Sequence, residues 1–451
     1  MKLKTSNHIV LLYITIAFIF PLSGISIAQN IGYSSFNMYY VGPNGNDSNP
    51  GTSAAPFQTI QHAANIVNPG DIVIVKDGVY TTPSTVEVVL LKRSGTSSAW
   101  ITFKAENKWG AKITGSNSNV VSMGFFITSN VSYVKIQDFD IFGFTATGNT
   151  NNTGISIVNS ASVSTAPMAP SNIELSGNNI HDIGRMCSDS PYGFAGIFVG
   201  VNSSSIHINK NMIHDIGRFS AGENGCNPQT HAYENNDHGI YVDGVSGITI
   251  TDNVIYNTNH GWGIQFWGNY QATTNALVAN NTFAFPNPYR NGQILLAAPG
   301  VINSTIENNI FYSPTTAGVL VNASLSSPAI VNNTPTGTAI TPVFLNVIVN
   351  NNMVYGGGII STLSAPGVTL IPSEVSITNN LENTDPDFVN ANRYDFHLQS
   401  SSPAINAGIT LPKMANDFDG NSRPTTTRYT IGAYEYVSGS GFSMRTAHQV
   451  K

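Results

Sequence analysis

The densest group of chemically active side chains lies in a fifteen-residue stretch, Thr230–Gly244, with the sequence THAYENNDHGIYVDG. It contains two histidines, two tyrosines and three acids, in a chain of which only 10% is charged. Histidines and carboxylates are the usual general acids and bases of enzymes, provided that they lie within hydrogen-bond reach of the reacting atoms. The stretch is therefore the first candidate for a catalytic site.

These side chains suit the acid–base cleavage of a sugar chain. Hydrolysis of a glycosidic bond needs two carboxylates about 5–10 Å apart, which Asp243 with Glu234 or Asp237 could supply. β-Elimination from a uronate needs a base, and Ca²⁺ or Arg to neutralise the sugar carboxylate. Calcium stays open as a cofactor, but the sequence holds no ordered calcium-binding motif and no metal site is assigned. The candidate catalytic residues are Asp243, His238, Glu234 and His231.

These residues belong to a repeat that predicts the fold. The pattern apolar-x-apolar-x-x-Asn-x-apolar recurs, and a second motif, Gly-apolar-x-apolar, accompanies its copies. The asparagine recurs at the same strand–turn junction, which is typical of coils stacked in register. An inward asparagine side chain can then hydrogen-bond to the next coil. The pattern predicts an all-β fold, a right-handed parallel β-helix with extra residues absorbed in loops. The ladder asparagines are Asn178, Asn211, Asn253, Asn281, Asn309 and Asn352.

The strand register places the side chains around the candidate acid. Alternation along Gly239–Gly244 directs Ile240 and Val242 inward, so Tyr241 and Asp243 point outward. Rings can stack on sugar faces while polar groups bond hydroxyls, so the outward columns predict a glycan-binding strip. The alternative is a covered patch beneath the loop 218–237. The candidate substrate-binding residues are Phe198, Tyr241, Gln265, Trp267, Trp262 and His260.

Twin HDIGR turns, His181–Arg185 and His214–Arg218, form a second histidine group. We expect the histidines to stack over each other in a structural turn, with Asp bonding turn amides and Arg pairing with Asp. A metal site of two histidines and two aspartates is the less favoured alternative. Cys187 and Cys226 lie in insertions that follow the same turn on consecutive coils, so a disulfide between them is predicted.

The two ends of the chain differ from the repeats. Lys2 and Lys4 precede an apolar run and small residues near Ala28, the pattern of a secretory signal peptide. Further on, Ile60, Ala63, Ala64 and Val67 have helical spacing, which predicts a short capping helix. The predicted organisation is a signal peptide at 1–28, an N-terminal cap and first coil at 29–80, a parallel β-helix at 81–390, a C-terminal capping segment at 391–436 and a flexible tail at 437–451.

Both terminal segments resemble known β-helix proteins. The block Tyr39–Tyr80 resembles the N-terminal cap of many secreted β-helix proteins, including polysaccharide lyases. The segment Tyr394–Tyr436, with YDFHLQSSSPAINAG, DFDGNSRP and IGAYEY, resembles the C-terminal segment of many bacterial and archaeal surface β-helix proteins. Together with the repeats, they give the mature chain a resemblance to the pectate-lyase-like superfamily. This superfamily contains lyases, hydrolases, epimerases and proteins without known chemistry, so the resemblance implies the fold and leaves the activity open.

Composition narrows the possible partners. The net charge is −6 and the 19 Lys and Arg form no basic run, which argues against nucleic acid. No segment after the signal peptide is apolar enough to span a membrane. We predict a secreted, extracellular or cell-surface monomer that cleaves a polysaccharide by β-elimination or hydrolysis. The alternative is a non-catalytic surface or matrix protein that binds glycans or neighbouring cells, which the lack of a recognisable lyase or hydrolase motif favours.

Overall fold

The computed structural model describes residues 36–437, except for 83–84, 116–118, 147–150, 159–168, 189–191, 220–221, 228–235, 269–270, 287–291, 324–329, 332–333, 336–341, 365–373 and 412–413. The predicted signal peptide at 1–28 and all but the first residue of the predicted tail at 437–451 lie outside the described residues. Within them, no helix has the length and apolar character that crossing a membrane requires.

Among the described residues, successive coils run through three parallel sheets of twelve, nine and nine strands, called A, B and C here. Sheet A contains Met38–Val41, Ile72–Val75, Ile101–Ala105, Ser132–Gln137, Ser171–Ser176, Ser204–Asn209, Ser246–Thr251, Thr273–Thr274, Leu277–Ala279, Gly300–Glu307, Val343–Asn350 and Val375–Thr378. Sheet B contains Gly78–Tyr80, Ala111–Thr114, Asp140–Phe142, Asn179–Ile183, Met212–Ile216, Val254–Thr258, Thr282–Pro286, Ile310–Tyr312 and Met353–Tyr355. Sheet C contains Glu87–Leu91, Met123–Ile127, Thr153–Ile157, Ala195–Val199, His238–Val242, Ile264–Phe266, Ile294–Leu296, Ala317–Ala323 and Gly358–Ser364.

A few described elements lie outside these three sheets. Two short antiparallel pairs join Ile330–Val331 to Thr334–Pro335 and Phe388–Asn390 to Asp395–Leu398. The helical elements are one α-helix at Ile60–Ile66 and 3₁₀ turns at Glu223–Gly225 and Ala391–Arg393.

Like side chains stack on like inside the solenoid. Ile155, Ile197, Ile240, Ile264 and Ile294 are direct neighbours on successive strands of sheet C, and all five are fully buried. Branched aliphatic residues suit such a column because they pack closely on a pleated surface. The inward direction predicted for the Gly-apolar-x-apolar motif is thereby confirmed.

The asparagine ladder is present at the turn between sheets A and B. From Asn178 to Asn309, each predicted asparagine donates its backbone N–H and its Nδ2 to the Oδ1 of the next one, at 2.9–3.0 Å. Asn352 donates in the same way to Asn380, a further rung that the sequence pattern did not include. At the other end, the N–H of Phe139 donates to Asn178. The predicted register is therefore confirmed.

A helix is present where the sequence predicts one. The side chain of Thr59 accepts a hydrogen bond from the N–H of His62 and caps the N-terminus of Ile60–Ile66. Ile60, Ala63 and Ala64 are buried and belong to the same hydrophobic core as the first coils. That the helix serves to cap the solenoid stays a prediction.

The described part of the C-terminal segment packs on the outer face of sheet B, and its capping role stays a prediction. Tyr394 stacks on Tyr256 of sheet B with ring centroids 4.6 Å apart, and Phe396 packs on the same ring. The buried Arg423 joins this segment to the coils through an ion pair with Asp252 at 2.5 Å. The outward aromatic side chains of sheet B provide an apolar surface for this packing.

Candidate functional site

The outer face of sheet C carries a groove of about 730 Å³. The predicted outward column is present: Phe198 pairs with Tyr241, and Tyr241 pairs with Gln265 on the next strand. The rings of Phe198 and Tyr241 lie 5.2 Å apart, and those of Tyr241 and Trp267 lie 6.4 Å apart. Trp262 also lines the groove. Five of the six predicted substrate-binding residues are thus brought together.

Glycine at the start of each strand follows from the close approach of neighbouring coils. A Cβ atom on Gly239 would lie 2.6 Å from the carbonyl oxygen of Gly263, and one on Gly196 would lie 2.7 Å from that of Gly239. Any larger residue would push the coils apart. The glycine of the second motif therefore allows the outward column to stack at the spacing of a parallel sheet.

His238 lines the groove as a neutral side chain. Its Nδ1 accepts a hydrogen bond of 3.2 Å from the N–H of Trp262, so the proton of the neutral ring is on Nε2. The imidazole stacks on Trp262 and meets Tyr241 edge-on. Burial lowers the pKa of His238 to about 3. Such a ring can donate a hydrogen bond, but it is a poor general base at neutral pH, which argues against the role expected from the sequence.

Asp243 lies next to the aromatic column, but it is only 9% exposed and is not among the residues that line the groove. Burial raises the pKa of Tyr241 well above its ordinary value, and the nearby charge of Asp243 raises it further. A Cβ atom on Gly268 would lie 2.4 Å from Oδ1 of Asp243, so the carboxylate packs against the next coil. The acid follows the last residue of the strand His238–Val242 and is more withdrawn from water than the predicted open strip implies.

The remaining candidates of the central segment lie either outside the described residues or in the buried interior. His231 and Glu234 lie outside the described residues. His260 is 2% exposed and does not line the groove. Asp237 is fully buried and holds Arg218, accepting from its Nε at 2.8 Å and from its Nη2 at 2.9 Å. Asp237 is therefore a structural residue and not the second carboxylate that hydrolysis needs.

Two insertions build one wall of the groove. Cys187 and Cys226 are joined by a disulfide across these insertions, and Arg185 bonds Glu223 beside it at 2.9 Å. Arg218 also donates to the carbonyl oxygen of Tyr192. The wall itself includes Gly193, Phe194 and Asn236. The alternative of a covered patch stays open, because 220–221 and 228–235 of the loop 218–237 lie outside the described residues.

The groove extends beyond the residues that the sequence singled out. Its column continues to Phe126 in one direction and Leu295 in the other, a span of five strand spacings, or about 24 Å. Part of the signal was present in the sequence, because Gly154-Ile155 repeats the start of the second motif in the register of Gly196-Ile197. The additional side chains include Met123, Phe126, Thr153, Ser156, Leu295 and Ala297.

The HDIGR turns form a ring stack on the outer face of sheet B. His181 lies 4.9 Å from His214, which lies 4.7 Å from Tyr256, with the planes nearly parallel. Asp182 and Asp215 accept from the imidazole Nδ1 of the histidine before them, at 2.7 and 2.6 Å. The predicted stacking is confirmed, but the aspartates bond ring nitrogens instead of turn amides. Within the described part of the chain, no three or more His, Cys, Asp or Glu side chains are grouped to hold a metal ion.

His181 makes the stability of the protein depend on pH. Burial alone would lower its pKa, but hydrogen bonds to Asp140 and Asp182 outweigh burial and raise the pKa to about 9. Because the folded pKa lies above the ordinary 6.5, the stabilisation is complete below pH 6.5 and is lost as the pH rises through 9. We expect the free energy of unfolding of His181→Gln to be about 1–3 kcal/mol below that of wild type at pH 6, and close to it at pH 10.

Chemical denaturation of both proteins across this pH range measures the difference. His207→Gln, at an exposed position on sheet A, is the matched control and should lose nothing that depends on pH in this way. A constant difference between wild type and His181→Gln from pH 6 to 10 would rule out the charged histidine as the cause.

Comparison with known proteins supports the fold. Residues 39–185 match the family model described as Pel9A-like, right handed beta helix region. Pectate lyase L of Dickeya dadantii (strain 3937) is 32% identical over 155 residues, 30% of this chain and 36% of that protein. The uncharacterized protein YwoF of Bacillus subtilis (strain 168) is 25% identical over 146 residues, 25% of this chain and 30% of that protein. The chain thus spans about a third of the length of the curated relatives that it matches.

A solved structure extends the likeness to most of the chain. The crystal structure of pectate lyase Pel9A superposes with a TM-score of 0.55 at 18% identity, covering 90% of this chain and 98% of that one. At this identity the likeness shows the fold alone. With the family model and the parallel sheets, it confirms the predicted right-handed parallel β-helix, similar to that of pectate lyases.

Proposed function

We propose that this pectate-lyase-like β-helix binds a polysaccharide along the groove of sheet C and cleaves it outside the cytoplasm. The observation that carries the proposal is the row of aromatic side chains in the groove. Phe198, Tyr241 and Trp267 offer ring surfaces to sugar rings, and Gln265 offers an amide to hydroxyls. The likeness to a pectate lyase structure supports an elongated sugar chain as the ligand.

Asp243 is the residue that we assign to proton transfer. Its carboxyl group follows directly after the strand His238–Val242, beside Tyr241, and is largely withdrawn from water. His238 carries its ring proton on Nε2 and can donate a hydrogen bond from there. Hydrolysis needs a second carboxylate, for which Glu234 is the candidate from the sequence. β-Elimination needs only one base, with a cation beside the sugar carboxylate.

A non-catalytic glycan-binding protein is the second candidate. Two observations favour it: Asp237 is held by Arg218, and His238 has a pKa of about 3. Among the described residues of this segment, these leave Asp243 as the one sequence candidate suited to proton transfer. A surface or matrix protein would use the same aromatic groove without cleaving its ligand.

A panel of soluble polysaccharides separates the two functions. Each is incubated with the protein and scored for new reducing ends and for unsaturated products, while binding is measured in parallel. Reducing ends without unsaturation indicate hydrolysis, and unsaturated ends indicate elimination. Binding without any product supports the second candidate. Neither binding nor product across the panel contradicts both.

Removing a ring from the groove should weaken binding of whichever polysaccharide the panel identifies. We expect Tyr241→Ala and Trp267→Ala each to weaken the binding free energy by about 1–3 kcal/mol, which raises Kd roughly 5- to 150-fold. The reason is the loss of an aromatic face in contact with the sugar. Isothermal titration calorimetry gives the value. Trp100→Ala is the matched control, since Trp100 packs on Tyr133 near sheet A. Equal losses in the control and groove variants would contradict the assignment of the groove.

A further inference from the structure

The described lining of the groove is uncharged. No lysine, arginine, aspartate or glutamate is among the lining residues that the structure describes. Its polar side chains are amides and hydroxyls, such as Gln265, Ser156 and Asn322, with the imidazole of His238 between the rings. The groove can therefore offer hydrogen bonds and ring faces along its described length, but no ionic partner.

The nearest ionisable groups make the groove less suited to an anion. Asp243 lies close enough to Tyr241 for its negative charge to act on the phenol. Arg218, which bonds the carbonyl oxygen of Tyr192 behind the wall, is only 2% exposed. It is held by Asp237 through two side-chain bonds and lies over the ring of Phe194. Turning Arg218 into the groove would leave Asp237 buried without its counter-ion, which is strongly unfavourable.

We propose that the groove selects an uncharged polysaccharide, a chain without ionised carboxylates. The inference rests on the proposed function and names the class of its ligand. A polyuronate such as pectate carries a carboxylate on each sugar, and each one placed in this groove would lose water without gaining a cation. A chain of neutral sugars, or one whose carboxyl groups are esterified, loses only hydroxyl hydration, which the amides and hydroxyls of the groove replace.

A pair of polygalacturonans that differ only in methyl esterification tests the selection directly. Both chains have the same sugars and linkages, so a difference in Kd reports the carboxylate charge. We expect the esterified chain to bind the full-length protein at least tenfold more tightly than the acidic one. Neutral galactan and xylan, measured beside them, distinguish neutral sugars from esterified uronates as the source of the uncharged ligand.

The outcomes separate this inference from the proposed function. Equal or tighter binding of the acidic chain overturns the inference and leaves the function standing, whether or not Ca²⁺ is required for that binding. No binding of any chain, and no cleavage, overturns both.

A cation placed in the groove should change the preference. Asn322 lines the groove, and we expect Asn322→Lys to tighten binding of the acidic chain at least threefold while the esterified chain gains nothing. Thr249→Lys adds the same charge on the outer face of sheet A and is the matched control. An equal gain in both variants, or no gain in either, overturns the assignment of charge selection to this groove. Thermal unfolding of each variant verifies that the fold is retained.

Discussion

Replacing Asn253 by alanine is expected to lower the free energy of unfolding by about 3–6 kcal/mol. The Oδ1 of Asn253 accepts from the N–H and the Nδ2 of Asn211, and its Nδ2 donates to the backbone carbonyl oxygen of Ile208 and to Oδ1 of Asn281. Alanine removes all four bonds in the fully buried interior. Each buried group left without a partner costs about 1–3 kcal/mol, and the vacated volume adds to the loss.

A surface asparagine provides the control for this substitution. The Nδ2 of Asn107 donates to the carboxylate of Asp77 at an exposed position, where water can replace the bond. We expect Asn107→Ala to change stability by less than about 0.5 kcal/mol. Urea denaturation followed by circular dichroism measures both variants. Similar losses for the two would mean that the ladder contributes no more than an ordinary surface bond.

Asp243→Asn is expected to reduce turnover by about 10²- to 10⁴-fold, the usual contribution of a general acid or base. Asparagine keeps the shape of the side chain beside Tyr241 and Gly268, so the melting temperature should stay close to that of wild type. Turnover is measured on the polysaccharide that the panel identifies, together with Kd, which should change little.

An acid on another sheet provides the comparison. Asp182 lies on sheet B with a half-exposed side chain, and Asp182→Asn should keep full turnover. Full turnover in Asp243→Asn would remove this residue from the proposed chemistry and direct attention to Glu234.

Most of the scaffold could be predicted because it depends on residue types at fixed intervals. Few residue types can replace an inward asparagine at a turn or a glycine between two close backbones. Asn178 and Gly239 are therefore recognisable in the sequence. The pattern does not predict Asn380, because Glu382 stands two positions after it, where the other copies have an apolar residue. On the last described rung of the ladder, that residue has no further coil to pack against.

The predicted site was correct in register but not in environment. The outward column from Phe198 to Gln265 follows from strand alternation alone. The burial of His238 and the use of Asp237 by Arg218 depend on how two insertions fold back, which local patterns do not encode. The same holds for the C-terminal segment, whose Arg423 finds its partner 171 residues away.

The ladder also separates the dimensions of the scaffold from the length of its loops. Asn211 and Asn253 are 42 residues apart and Asn253 and Asn281 only 28, yet both pairs share the same two bonds. The difference of 42 − 28 = 14 residues lies in the connections, including the wall of the groove. Closing a longer connection costs only about 0.6 kcal/mol for each doubling of its length. Loops at the groove edge can therefore be exchanged or lengthened during evolution for less free energy than one ladder asparagine contributes, while the strand spacing beneath the ligand stays constant.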